Sequence, residues 1–134
     1  MMLADTNLVI YGTLPEHAFL EAWFRRETPF VSVVSYVEAL GYHKLVPEDR
    51  ESLERFFAKA PMLEMTSPVL KEAVRLRQLR KMGLGDALIA ATALVHGLTL
   101  ATHNTADFAW ISDLSVIDPF DQKPKSQSNE GASL

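Results

Sequence analysis

The sequence has no cysteine among its 134 residues. Disulfides and thiolate metal sites are therefore excluded, which suits a reducing compartment. Long hydrophobic runs are also missing. The longest, residues 87–95, is too short to span a bilayer and contains Thr92. No membrane partner is expected. The first ten residues carry no basic stretch and are interrupted by Asp5 and Asn7, so they do not read as a signal peptide. Together these absences predict a cytoplasmic protein. Positive charge is in short supply: 13 Lys and Arg stand against 17 Asp and Glu, a net charge of −4. A protein that simply coats nucleic acid should be basic. A nuclease is not excluded, because a metal-binding acidic cluster would itself contribute negative charge. With Asp5, Glu38, Asp86 and Asp107 set aside, the remainder is neutral. His17, His43, His96 and His103 show no ligand spacing. Ser32 and Ser35 have no nearby histidine, so a serine nucleophile is not expected.

What is present reads as one α/β domain over residues 1–120, followed by a polar tail, 121–134, whose composition predicts disorder. Short apolar or β-branched runs predict strands at 2–4, 30–34, 62–65, 98–101 and 114–117. Helical spacing predicts helices at 8–12, 17–27, 35–46, 47–60, 69–81, 86–96 and 105–110. Gly83 and Gly85 read as the break between two of them. In the segment 69–81, Leu70, Ala73, Leu76 and Leu79 are expected to face inward. Lys71, Arg75, Arg80 and Lys81 fall mostly on the other side. Alternating strands and helices imply a mostly parallel central sheet.

The acids fall where strands hand over to helices. Asp5 follows the first strand. Glu38 is placed in the first turn of the helix after the second strand, and Asp86 opens the Ala-rich helix. Asp107 follows the 98–101 strand. Each has a bland explanation. Ser35-x-x-Glu38 fits a capping box, Asp5 and Asp86 fit N-caps, and Asp107 fits a dipole partner behind Asn104 or Thr105. Together they point elsewhere. A parallel sheet gathers such residues at its C-terminal edge, where ligands bind. Four ionised carboxylates there would repel one another. A divalent cation removes that penalty, and oxygen donors without His or Cys point to Mg²⁺ or Mn²⁺. Phosphoryl chemistry is the natural use of such a site.

Four segments carry a resemblance. They are Asp5-Thr6-Asn7 behind a short strand; Ser32-x-x-Ser35-x-x-Glu38; Gly85-Asp86-Ala-Leu-Ile-Ala-Ala-Thr-Ala93; and Thr102-x-Asn104-x-x-Asp107-Phe108. In this order the chain resembles a PIN domain, and most of all the VapC toxins of prokaryotic toxin–antitoxin pairs. The resemblance implies a three-layer α/β/α sandwich and an endoribonuclease dependent on Mg²⁺ or Mn²⁺. It also implies inhibition by a cognate antitoxin, and a homodimer. Asp5, Glu38, Asp86 and Asp107 match the family's four acids, as catalytic and metal-holding residues. Thr102 and Asn104 match its polar supporting positions, and Asn7 joins them.

Other residues divide between two readings. Arg75, Arg77, Arg80 and Lys81 either track an RNA backbone or form a solvated helix face. Trp23, Phe24, Phe56 and Phe57 belong to the core or to an apolar groove for an antitoxin. The competing function is a non-catalytic PIN-fold module that binds RNA or protein and keeps the acids as caps. An acceptor-Asp phosphatase wants a second Asp two residues after Asp5, where Asn7 stands.

Overall fold

Five short strands lie side by side, all parallel, in a computed structural model that describes residues 1–122. Strand β1 (Met2–Ala4) pairs with β4 (Thr99–Ala101), which pairs with β5 (Val116–Ile117). Strand β2 (Val31–Ser32) pairs with β3 (Met62–Leu63). A parallel bridge between Leu3 and Phe30 joins the two sets. There Ala4 N donates to Phe30 O at 2.9 Å, and Phe30 N donates to Met2 O at 2.8 Å. The spatial order is therefore β3-β2-β1-β4-β5.

Parallel neighbours need crossovers, and helices supply them. These are α1 (Thr6–Gly12), α2 (Ala18–Glu27), α3 (Val33–Leu40), α4 (Pro47–Lys59), α5 (Ser67–Leu79) and α6 (Leu84–His96). Successive strand residues point to opposite faces. Leu3 and Leu100 pack with Val69, Leu76, Ile89 and Phe108 of one core. Their neighbours Ala4 and Ala101 pack with Leu8, Leu20, Trp23 and Leu53 of the other. The sheet is thus covered on both sides, giving the expected α/β/α sandwich. The Ala-rich helix α6 buries Ala87 and five of the six residues 89–94. It stops at Gly97, whose φ of 65° suits glycine and lets Leu98 N reach Ala93 O at 2.9 Å. His96 is its last residue, as a dipole partner should be. No helix among the described residues is long and apolar enough to cross a membrane.

Several expectations need correction. Strand β2 is short because Ser32 caps α3, its Oγ accepting from Val34 N at 3.0 Å. Val33 and Val34 therefore begin the helix despite their β-branching, and α3 ends before Gly41. Ser35 is not a cap, and Glu38 lies in the second turn. Gly83, not Gly85 or Asp86, precedes α6, so Asp86 is its third residue. The 105–110 helix is only a 3₁₀ turn, Thr105–Asp107. In α5 the buried set is Val69, Ala73 and Leu76, whereas Leu70 and Leu79 are exposed. A strict three-residue spacing slips by about 60° per step on a helix of 3.6 residues per turn. Leu79 therefore lies half a turn from Leu70, and only the middle of that series reaches the core. Trp23 and Phe57 are core residues. Asp121 and Gln122 close a 3₁₀ turn, Pro119–Gln122; the rest of the expected tail lies outside the described residues.

Phe108 fixes the loop beyond β4 by inserting a fully buried ring next to Asp107. Phe108→Ala is expected to cost about 3–5 kcal/mol in chemical denaturation, the usual range for emptying an aromatic core position. A loss below about 1 kcal/mol would show that this loop is anchored elsewhere.

Candidate active site

Asp5 ends β1 and is nearly buried, with 6% of its surface exposed. As N-cap of α1 it accepts from Leu8 N at 2.9 Å through Oδ1. Its other oxygen, Oδ2, accepts from Thr102 Oγ1, at the end of the neighbouring strand β4. Thr102 Oγ1 in turn accepts from Asn104 N at 3.0 Å. Thr102 thus couples the first strand to the loop that carries Asp107.

Glu38 comes from α3. Thr6 Oγ1 donates to Glu38 Oε1 at 2.6 Å, and Ser35 Oγ lies 2.8 Å from the same hydroxyl. Thr6 has one proton and gives it to the carboxylate, so Ser35 is the donor to Thr6. Ser35 is fully buried, which fixes the chain Ser35–Thr6–Glu38. The other carboxylate oxygen, Oε2, lies against Gly85 in the first turn of α6. A Cβ at Gly85 would collide with it. The glycine is what allows Glu38 to lie beside the helix that bears Asp86. Asp86 and Asp107 then face one open cleft between α6 and the Thr105–Asp107 turn.

The charges act on one another. Burial is the largest influence on Asp5 and raises its carboxyl above the ordinary range. The bonds from Thr102 and Leu8 N oppose that rise, and the charges of Asp86 and Glu38 add to it. Asp86 is more open. Its carboxyl is also raised, first by partial loss of hydration, then by Asp107 and Glu38. The four acids predicted as a site therefore share one electrostatic field. Asn7 points elsewhere, lining a groove with Ile10, Ala39 and Leu45. Asn104 contributes its backbone N–H and makes no side-chain cap bond. Thr6, Ser35 and Gly85 stand inside the sequence motifs, but the motifs alone give them no role. Their partners lie on other elements, 29 and 32 residues away for the two Thr6 bonds. His103 turns from the acids to Asp118, with Nδ1 2.9 Å from Oδ2, and stacks on Phe120.

The family model of the PIN domain matches residues 2–113. The chain belongs to the PIN domain family. Compared by sequence with curated proteins, it has no match. Solved structures of the PIN fold are similar in shape. A chain of a toxin–antitoxin complex from Klebsiella pneumoniae is 27% identical, with a TM-score of 0.72 over 89% of this chain and 98% of that one. FitAcB from Neisseria gonorrhoeae is 25% identical, with a TM-score of 0.71 over 90% and 99%. DNA-bound VapBC from Salmonella typhimurium, at 22% identity and a TM-score of 0.77 over 87% and 96%, shares the fold.

The raised Asp5 has a consequence for stability. A carboxyl whose folded-state value is raised favours the fold while protonated. That contribution is present below the unfolded value of about 3.9 and is lost as pH rises through the folded value. Asp5→Asn keeps an acceptor for Leu8 N and removes the charge. The variant is expected to melt higher than the parent at neutral pH in the presence of a chelator. The advantage should shrink as the pH falls from the raised folded value toward about 3.9, and be gone below it. Parallel melting curves across the whole pH range would show that ionised Asp5 costs the fold nothing.

Proposed function

We propose that this PIN domain is an endoribonuclease dependent on Mg²⁺ or Mn²⁺, and the toxin of a toxin–antitoxin pair acting in the cytoplasm. The observation that carries the reading is the mutual field of Asp5, Glu38, Asp86 and Asp107 at the C-terminal edge of a parallel sheet. A caps-only role does not account for it. Asn caps a helix about as well as Asp and brings no charge. Here burial first and then the neighbouring charges raise Asp5 and Asp86, so ionised acids without a counter-ion are a burden to the fold.

The donor set fits a hard cation: it is all oxygen, anionic and self-repelling. Among the described residues, no three His, Asp or Glu side chains already converge as ligands of one ion. The fit is therefore one of chemistry and charge. Asp5, Asp86 and Asp107 would hold the ion, with Glu38 beside them. When bound, such an ion supplies Lewis-acid stabilisation of phosphate charge and activation of water. The chain's own contribution is positioning. Thr102 and the α1 backbone hold Asp5 in one orientation. The Ser35–Thr6 chain holds one oxygen of Glu38 and leaves the other for a water or an ion. Asp86 and Asp107 line the open cleft, where a phosphodiester has room to enter.

The partners follow from the relatives. The Klebsiella structure is a toxin–antitoxin complex by its description, and VapC-type PIN domains are generally nucleases. Between α2 and α4, Phe24 and Phe56 line a groove of ≈370 Å³ with Pro29 and Pro61. An amphipathic antitoxin segment would find apolar contacts there. A homodimer belongs to the same reading.

Purified protein with Mn²⁺ is expected to cut single-stranded RNA. Asp86→Asn should abolish cutting, a loss of at least a hundredfold, while circular dichroism stays unchanged. RNA left intact by the parent, or cut equally by the variant, would defeat the reading.

Gly85→Ala offers a separate check on Glu38. An alanine within α6 favours the helix by roughly 0.5–1 kcal/mol, and the atom it displaces is the free end of a flexible side chain. Stability should hold or rise while RNA cleavage falls at least tenfold, as it would in Glu38→Gln. Full activity in Gly85→Ala would remove Glu38's placement beside α6 from the mechanism.

A further inference from the structure

Four cations near α5 are candidates for an RNA contact, and the structure separates them. Arg75 is tied to Glu72, with Nε to Oε1 at 2.9 Å and Nη2 to Oε2 at 2.5 Å. Arg77 donates to Met82 O at 3.3 Å and so fastens the loop that leads into α6. Arg80 and Lys81 remain. Among the described residues neither takes part in an ion pair. Both line the ≈290 Å³ cleft that also contains Asp86 and Asp107.

Arg80 is held in place. Its backbone is extended at the end of α5, and its N–H still donates to Leu76 O at 3.2 Å. Its guanidinium lies over the ring of Trp110, 5.4 Å from the centroid. Trp110 is half-buried and packs against the core behind the Asp107 turn. A cation braced on an aromatic ring loses less freedom on binding an anion than a free surface arginine does. It stands beside acids that repel phosphate, so an internal partner was close at hand and was not used.

From this we propose that Arg80, with Lys81, is the clamp for a phosphate of the RNA backbone flanking the bond to be cut, and that Trp110 is the residue that positions Arg80. The inference rests on the ribonuclease reading and adds the contact that seats the strand. The scissile phosphate belongs to the acids, whereas the clamp takes a neighbouring one. A substrate too short to have a neighbouring phosphate should ignore it.

The test compares the parent with Arg80→Ala, Arg80→Lys and Trp110→Leu. With Mn²⁺, Arg80→Ala should raise KM for single-stranded RNA about tenfold or more, the effect of one charge-assisted contact. Its rate on bis(p-nitrophenyl) phosphate should fall much less than its rate on RNA. With Mn²⁺ present and cutting blocked by Asp86→Asn in both proteins, the salt dependence of RNA binding should become shallower by about 0.7 in log–log slope for each phosphate the variant no longer neutralises. Arg80→Lys and Trp110→Leu should fall between parent and Arg80→Ala. Unchanged KM and slope in Arg80→Ala, in a parent that cuts RNA, would overturn the clamp alone. Equal losses on RNA and on the small diester would overturn it as well, by placing Arg80 at the reacting phosphate or in the fold. A parent that neither binds nor cuts RNA would overturn the ribonuclease reading and the clamp together.

Discussion

Asp5 is a carboxylate with almost no access to water, placed at the end of the central strand and within the field of Glu38 and Asp86. Burial and like charge both favour its neutral form, and two hydrogen bonds, from Leu8 N and Thr102, work against them. Much of the architecture around the site can be understood as managing this one group. Strand β4 must lie beside β1 for Thr102 to reach it. Helix α1 must begin at Thr6 for its backbone N–H groups to face it. The loop after β4 is drawn in because Asn104 N donates to the same threonine hydroxyl. A group held at this cost, in a fold that could cap α1 with a neutral residue, points to a use for its charge.

The alternation of strands and helices is readable from the chain because it depends on strongly patterned segments. The apolar run of α6 could only be a buried helix. The 98–101 segment, bounded by Gly97 and a polar turn, could only be a strand beside it. Boundaries are harder to read where a local hydrogen bond overrides propensity. Ser32 turns Val33 and Val34 into helix, although β-branched residues favour strands. The exposure of Leu70 and Leu79 is foreseeable, since stepping by three drifts around a helix. The Ser35–Thr6–Glu38 chain is not. It joins α1 to α3, and no spacing along one helix reports a contact across two.

The site is legible in the sequence as a set of acids and not as a geometry. Asp5 is both a cap and a member of the acidic cluster, so the bland and the functional explanations of that residue are not rivals. For Glu38 and Asp86 the capping explanations fail on position: one is in the second turn, and the other is already inside its helix. Gly85 reads along the chain only as a helix breaker. Its role emerges when the space beside it is considered, because that space is filled by the Glu38 carboxylate.

The same balance of charge bears on how an acidic chain could act on RNA, as proposed above. The site's own charge is negative, and without a counter-ion it would repel an RNA strand. A divalent ion among the four acids would halve their formal charge, from −4 to −2. Arg80 and Lys81, without internal ion-pair partners among the described residues, would offset the remaining two charges and put the positive ones at the rim. Only the rim needs to be basic, and the rest of the molecule can stay near neutral. Attraction to RNA would then depend on occupancy of the site by the ion, so the cleft would gather substrate when it is able to act on it.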